Sequence, residues 1–369
     1  MTARNDVESW QRRLLQQRKV DFSMTLNPEW RDRIAHWLRV LHELCYIPLS
    51  GIEFTFCITL EHLSPQQALA SDFRAIRPGE TWGKEWEYAW LRGTVTLPNS
   101  AANERIVLRL DTGADGLVWV DGMVRGSCDR EHQTIVLCAS GVPGGRFEVL
   151  IESYAGAEPV RVTTGPVPYG KDQPSHPVEG GRRTLGTSNF GIWQEEVFQL
   201  LIDATVLWEV REALEPVSLR ANDIDFGLKD MTLLVDVELP RAEMLEGIQA
   251  ARLRLAPLLA AQNGTTTPEL HAFGHAHIDV AWLWPLAETE RKVARTAANQ
   301  LELMESYSEY VFLQSQAQLY VMLRNGYPDI YDRVQEKIST GQWNIEGSAW
   351  VEPDTNITGG ESLIRQFIH

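Results

Sequence analysis

The chain has 369 residues, enough for two or three domains, each with a core of its own. Its 44% hydrophobic and 23% charged residues are the proportions of a globular protein in water, and a net charge of −16 sets nucleic acid and anionic membrane surfaces aside as partners by repulsion. The opening MTARNDVESWQRRLLQQRKV lacks an apolar run of signal-peptide length and no stretch approaches a membrane span, so a cytoplasmic location is expected. Cys45, Cys57, Cys128 and Cys138 show no CxxC spacing and read as reduced thiols, and the sequons at Asn263 and Asn356 then carry no weight.

Residues 1–45 read as helical, in an N-terminal segment 1–50. PEWRDRIAHWLRVLHEL places Trp30, Ile34, Trp37 and Leu41 on one face at three- and four-residue steps. From Gly51 the pattern changes to alternation: EFTFCITL, WLRGTVTLP, RIVLRLD, LVWVDGMVRG, QTIVLCA and RFEVLIES follow at short spacing, with Asp121-Gly122 as a two-residue hairpin signal. Short strands without intervening helices predict an antiparallel β-sandwich over 51–154, extended to 184 by a Pro- and Gly-rich linker at 155–183. The cluster Trp82, Trp86 and Trp90 reads first as core, and second as a sugar-binding surface. A helical segment, 185–265, shows periodicity at 190–216 and 239–261.

Residues 266–369 alternate in type. LHAF is an apolar run, a helix starts near Pro285 with Glu288 and Lys292 as an i,i+4 pair, and YVFL is a strand. Ser315 and Gln318 form a capping box for the next helix. Another helix starts at Pro328, with Ile330, Val334 and Ile338 on one face and Gly341 as its stop, and QWNIE is a third strand. This order is that of a parallel sheet with crossover helices, the first part of a (β/α) barrel-like domain. The sequence stops within an apparent helix, GESLIRQFIH, so the chain is expected to be the N-terminal piece of a longer protein.

In parallel α/β folds, ligands bind at the carboxyl ends of the strands. Those ends carry His275, His277 and Asp279, then Gln314 and Ser315, then Glu352 and Asp354. Imidazole with carboxylates suits zinc or a similar divalent ion, and His277-x-Asp279 puts both side chains on one side of an extended segment. The triplet His275-Ala276-His277 also fits the H-x-H of amidohydrolase-type barrels, and a packed loop is the bland reading.

GHAHIDVAWLWP, ETERKVARTAANQLELMESYSEYVFLQSQAQLY and GQWNIEGSAWVEPDTNITGGESLIRQFIH together resemble the opening of the catalytic domain of glycoside hydrolase family 38, the retaining α-mannosidases. Within the family the chain is most similar to the cytosolic and vacuolar type, which carries a β-sandwich and a helical segment before its catalytic domain. The resemblance implies a zinc-dependent enzyme that hydrolyses terminal α-D-mannosyl residues of oligosaccharides. It implies His277, Asp279 and Asp354 as zinc ligands, Asp354 as the nucleophile and Trp282 as the platform on which mannose stacks. His275 has no ligand role in that pattern. The family's fourth zinc ligand and acid/base aspartate match positions beyond His369, so this chain alone is expected to be inactive. Two other readings stay open: a metal-dependent amidohydrolase, and a non-catalytic carbohydrate-binding module. Apolar faces of an incomplete barrel would favour a homo-oligomer.

Overall fold

The computed structural model describes residues 26–156, 182–264, 266–282 and 284–368. The helical reading of residues 1–25, most of the linker (157–181) and His369 lie outside the described residues. The chain forms two compact units, Met1–Pro48 with Ile192–Glu269, and Leu49–Gly191 with Leu270–His369.

The first unit is built from helices α1 (Pro28–Leu44), α2 (Glu195–Ala213), α3 (Leu219–Leu234) and α4 (Arg241–Leu259). Asn27 starts α1 by accepting from Trp30 N at 2.9 Å, with Pro28 in the first turn. Its buried stripe is Ile34, Leu38 and Leu41, while Trp30 and Trp37 flank it half-buried. The expected face is thus rotated by one position. Helix α2 begins at Glu195, because Asn189–Trp193 is an extended strand rather than the start of a helix. Helix α3 has no counterpart in the sequence reading. Its buried side mixes Ile224, Leu228 and Met231 with Asp225, Gly227 and Thr232, while Phe226 and Leu233 face outward, so no clean apolar stripe exists. Asp225 is tolerated there because Arg211 of α2 donates to it at 2.8 Å.

In the second unit the strands are β1 (Tyr46–Gly51), β2 (Phe54–Thr59), β3 (Arg74–Ile76), β4 (Thr81–Trp82), β5 (Tyr88–Thr96), β6 (Ile106–Arg109), β7 (Gly116–Val120), β8 (Met123–Cys128), β9 (Thr134–Cys138), β10 (Arg146–Tyr154), β11 (Arg183–Thr184) and β12 (Asn189–Trp193), the first and last of which run on into the helical unit's segments. One sheet has the order β3-β2-β5-β10-β7-β8, all its pairings antiparallel, and a second has the order β1-β12-β6-β9. Strand β10 pairs β5 from Arg146↔Thr96 to Tyr154↔Tyr88. Along β5, Leu91, Gly93 and Val95 are buried while Arg92, Thr94 and Thr96 are exposed, the alternation expected of a strand with one covered face. Asp121 and Gly122 close β7–β8 with φ of 49° and 80°, both left-handed, as a two-residue hairpin loop requires. Trp82 and Trp90 are core residues, and Trp86 is half-buried.

The same unit contains a parallel sheet of order β13-β14-β15, formed by Gly274–His275, Phe312–Leu313 and Trp343–Asn344. Helix α5 (Leu286–Ser306) connects the first pair; α6 (Ala317–Gly326) and α7 (Pro328–Thr340) connect the second. Phe312 and Trp343 meet edge to face at 4.8 Å between ring centres and pack with Val293, Ala297, Leu301 and Leu323. Pro328 opens α7 and Gly341 closes it at φ 81°, as the sequence indicates.

Four local expectations are corrected here. LHAF is not the strand: Leu270 and Phe273 are exposed, and pairing begins at Gly274, where a side chain would meet the Tyr310 hydroxyl at 2.0 Å. Ser315 does not cap α6, whose N-cap residue is Gln316 without a side-chain cap; the hydroxyl is drawn to Glu352 instead. Glu288 does not pair with Lys292, because it is buried and taken by Tyr88 Oη at 2.8 Å and by Arg295, while Lys292 lies over the Trp284 ring. The last helix spans only Gly360–Arg365 and closes before the chain ends.

Candidate active site at the carboxyl ends of the parallel strands

Three loops leave the carboxyl ends of β13, β14 and β15, and their polar residues meet. The loop after β13 presents His277 and Asp279, with His277 Nε2 and Asp279 Oδ1 3.2 Å apart. Ile278 between them is 3% exposed, so the anchored residue leaves its two neighbours on the opposite, open side of the extended segment. From the loop after β15, Glu352 Oε2 accepts from His277 Nδ1, and its other oxygen accepts from Ser315 Oγ in the loop after β14. The hydrogen bond to Glu352, and next to it that to Asp279, favours the charged imidazole and raises the His277 pKa above its ordinary value of 6.5, against an opposing effect of partial burial. Burial raises the Glu352 pKa, but the Ser315 and His277 bonds outweigh it and leave that carboxyl below its usual range.

The imidazole is thus engaged at both nitrogens by carboxylates. With Nδ1–H donated to Glu352, the Nε2 lone pair faces a carboxylate oxygen, and the contact is favourable only when a proton or a metal ion supplies positive charge between them. Two nitrogen or oxygen ligands of one tetrahedral zinc, each at about 2.0–2.1 Å, lie roughly 3.3 Å apart. The 3.2 Å separation of Nε2 and Oδ1 matches that spacing, and the carboxylate on Nδ1 is the usual orienting partner of a metal-bound histidine. In donor type and in this one spacing, the pair fits zinc.

Asp354 is placed differently. Its Oδ1 accepts from Asn356 N at 2.7 Å and from Ile357 N at 3.4 Å, a turn within its own loop, and it is exposed. Among the described residues, no group of three or more His, Cys, Asp or Glu side chains is placed to hold a metal ion. Trp282 is 62% exposed and stands edge-on to Trp284 at 5.8 Å. Trp284 is itself anchored, donating from Nε1 to Thr289 Oγ1 at 3.0 Å, and Thr289 donates to Asp279 O at 3.2 Å. Helix α5 therefore fixes the backbone of the histidine loop. His275 is exposed at the end of β13.

Sequence reasoning put Gln314 and Ser315 at the rim but missed Gln316. Its side chain donates from Nε2 to Ile278 O at 3.0 Å and accepts from Glu352 N at 3.3 Å, so it stitches the first and third loops together. A glutamine before a helix carries no sequence signal of a φ of 67°.

Residues 267–369 match the model of the glycosyl hydrolases family 38 N-terminal domain, and residues 47–175 match that of the alpha-mannosidase jelly roll domain. Over these two stretches the chain is similar to the alpha-mannosidases of glycosyl hydrolase family 38. "Alpha-mannosidase 2C1" of Homo sapiens is 29% identical over 319 residues, covering 84% of this chain and 29% of that protein. "Alpha-mannosidase" of Saccharomyces cerevisiae is 46% identical over 99 residues, 27% of this chain and 9% of that protein. The chain thus spans about three tenths of the length of the human relative. Among solved structures, a b-glucuronidase from Ruminococcus gnavus overlaps 41% of this chain and 29% of that chain at 14% identity and a TM-score of 0.28, too slight a likeness to bear on function. The three site loops all fall inside the stretch matched to the family 38 domain.

Proposed function

We propose that this chain contributes the ancillary domain and the opening of a (β/α) barrel-like catalytic domain to a zinc-dependent, retaining α-mannosidase that removes terminal α-D-mannosyl residues from oligosaccharides. The observation that carries this reading is the His277–Asp279 pair, oriented by Glu352 at the carboxyl ends of parallel strands, within the segment matched to family 38. A cytoplasmic location suits the four cysteines, which form no disulfide among the described residues, and among those residues no helix is long and apolar enough to cross a membrane. Two buried tryptophans, Trp82 and Trp90, weigh against the ancillary domain as the sugar-binding surface.

His277, Asp279 and Asp354 would hold the zinc, which supplies a Lewis acid able to grip two neighbouring hydroxyls of the sugar. The open face of Trp282 takes the apolar C–H face of the mannose ring. Asp354 attacks the anomeric carbon. Its Oδ1 is held by two backbone N–H groups, so the attack falls to Oδ2. The bond to the leaving oxygen breaks as a carboxylic acid protonates that oxygen, and water then hydrolyses the glycosyl-enzyme with overall retention.

The test is hydrolysis of an aryl α-D-mannoside by the whole protein. Release with retained anomeric configuration, lowered at least about a thousandfold by Asp354→Asn, is the expected result. Undiminished turnover in that variant would remove Asp354 from the mechanism.

A further inference from the structure

We infer that Glu352 is a positioning residue of this site, braced by Ser315, that fixes His277 in the tautomer leaving Nε2 open towards Asp279. For the metal itself the inference rests on the reading just proposed. Carboxylates stand at both ring nitrogens, and the contact of Glu352 with Nδ1 is the closer of the two, so the proton of the neutral ring goes to Nδ1. That leaves Nε2 with its lone pair aimed at the point it shares with Asp279. A carboxylate on a loop is worth little as an orienting group unless it is itself held, and Glu352 is held three ways. Its second oxygen accepts from Ser315 Oγ. Its backbone N–H donates to Gln316 Oε1 at 3.3 Å. Its loop is pinned by Ala317 N to Ala349 O at 3.3 Å and Gln318 N to Trp350 O at 3.0 Å.

The bracing dipeptide is itself locked. Gln316 is 2% exposed, adopts φ 67° despite having a side chain, and donates to Ile278 O at 3.0 Å, next to His277. A left-handed conformation at a buried, non-glycine residue persists only where its surroundings over-determine it. Here they do, since the one side chain bonds both of the loops that carry the histidine and the glutamate. Ser315-Gln316 therefore sets the distance between His277 and Glu352.

The experiment compares the chain with Glu352→Ala, Glu352→Gln and Ser315→Ala. Imidazole nitrogen NMR at alkaline pH, without metal, reads the His277 tautomer, and a zinc competition titration reads affinity. Expected is a single Nδ1–H tautomer in the parent and a mixture in Glu352→Ala, with zinc affinity reduced roughly 10–100-fold in that variant. Glu352→Gln, whose amide oxygen still accepts from Nδ1, keeps the tautomer and stays within several-fold of the parent. Ser315→Ala shifts both readouts in the same direction as Glu352→Ala, by less. An unchanged tautomer and affinity in Glu352→Ala would overturn the inference. So would Glu352→Gln losing zinc as completely as Asp279→Ala, which would make Glu352 a ligand. If the parent binds no zinc but loses its single tautomer in Glu352→Ala, the zinc reading fails and the positioning role stands.

Discussion

Arg291 on α5 donates from Nε to Glu152 Oε1 on β10 at 2.8 Å, with 1% and 3% of the two side chains open to solvent. The pair joins the segment carrying the site to the strand-rich domain that precedes it. The guanidinium lies 3.7 Å over the Tyr88 ring and also donates to Ala287 O at 3.0 Å and Glu61 O at 3.3 Å. Tyr327 Oη reaches the second Glu152 oxygen at 3.4 Å, and Arg295 and Tyr88 share Glu288 close by. Two buried acids and two buried bases therefore balance across this packing face.

Removing one partner leaves a buried charge without compensation. Arg291→Met is expected to destabilise the protein by about 3–5 kcal/mol, and adding Glu152→Met should recover much of that loss. Urea denaturation of the parent, the single and the double variant checks both; equal stability of parent and single variant would show the pair to be dispensable.

His62 packs against the Tyr327 ring, with Glu290 3.7 Å away and Arg291 nearby. Burial and then the Arg291 charge pull its pKa down from 6.5 to about 4. Below its ordinary pKa the unfolded chain takes up a proton that the folded protein refuses, so stability falls as the pH drops from 6.5 towards 4. About a third of the ring is exposed, which keeps this slope shallow. The fall in Tm between about pH 7 and about pH 5 should be smaller in His62→Gln than in the parent. An equal fall would place the acid sensitivity elsewhere.

Gly247 of α4 lies where an added Cβ would stand 2.6 Å from the Leu234 carbonyl oxygen. Alanine is the better helix former by up to about 1 kcal/mol, but a backbone oxygen cannot swing aside. Gly247→Ala should therefore lower stability by roughly 1–3 kcal/mol. A thermal melt in which the variant gains stability would mean that α3 and α4 can part at little cost.

Trp282 and Asp279 should separate binding from metal retention in the whole protein. Trp282→Ala removes only the exposed indole and is expected to leave zinc content unchanged. It should raise KM several-fold, in line with the about 0.5–1.5 kcal/mol typical of aromatic contacts. Asp279→Ala should lose the metal, read by atomic absorption after dialysis. Zinc retained in full by Asp279→Ala would exclude that aspartate as a ligand.

The strand-rich domain was legible because its signals are local: alternation along β5, and Asp121-Gly122 at a turn that admits few other residues. The parallel sheet was legible as an order of elements, yet its first strand lay just after the apolar run that advertised it, since Gly274 was chosen by the approach of Tyr310. Helix α3 was not legible, because its buried face includes a charged residue whose partner, Arg211, stands on another helix. The same cause hid the fate of Glu288 and Ser315. Both have good local partners in sequence, at Lys292 and Gln318, and both are claimed by residues that only the fold brings near. At the site, the motif gave His277, Asp279 and Glu352 a common rim; the glutamine that spaces them had no motif to betray it.

The charge pairing across β10 and α5 also bears on how the two domains can be rearranged. A chimera that joins a foreign strand-rich domain to the segment matched to family 38, or a truncation that begins at residue 267, leaves Arg291 and Arg295 on an uncovered helix face, without the acid at position 152. The ancillary domain behaves here as half of a lock whose key is cut into α5, and the two halves must be exchanged together.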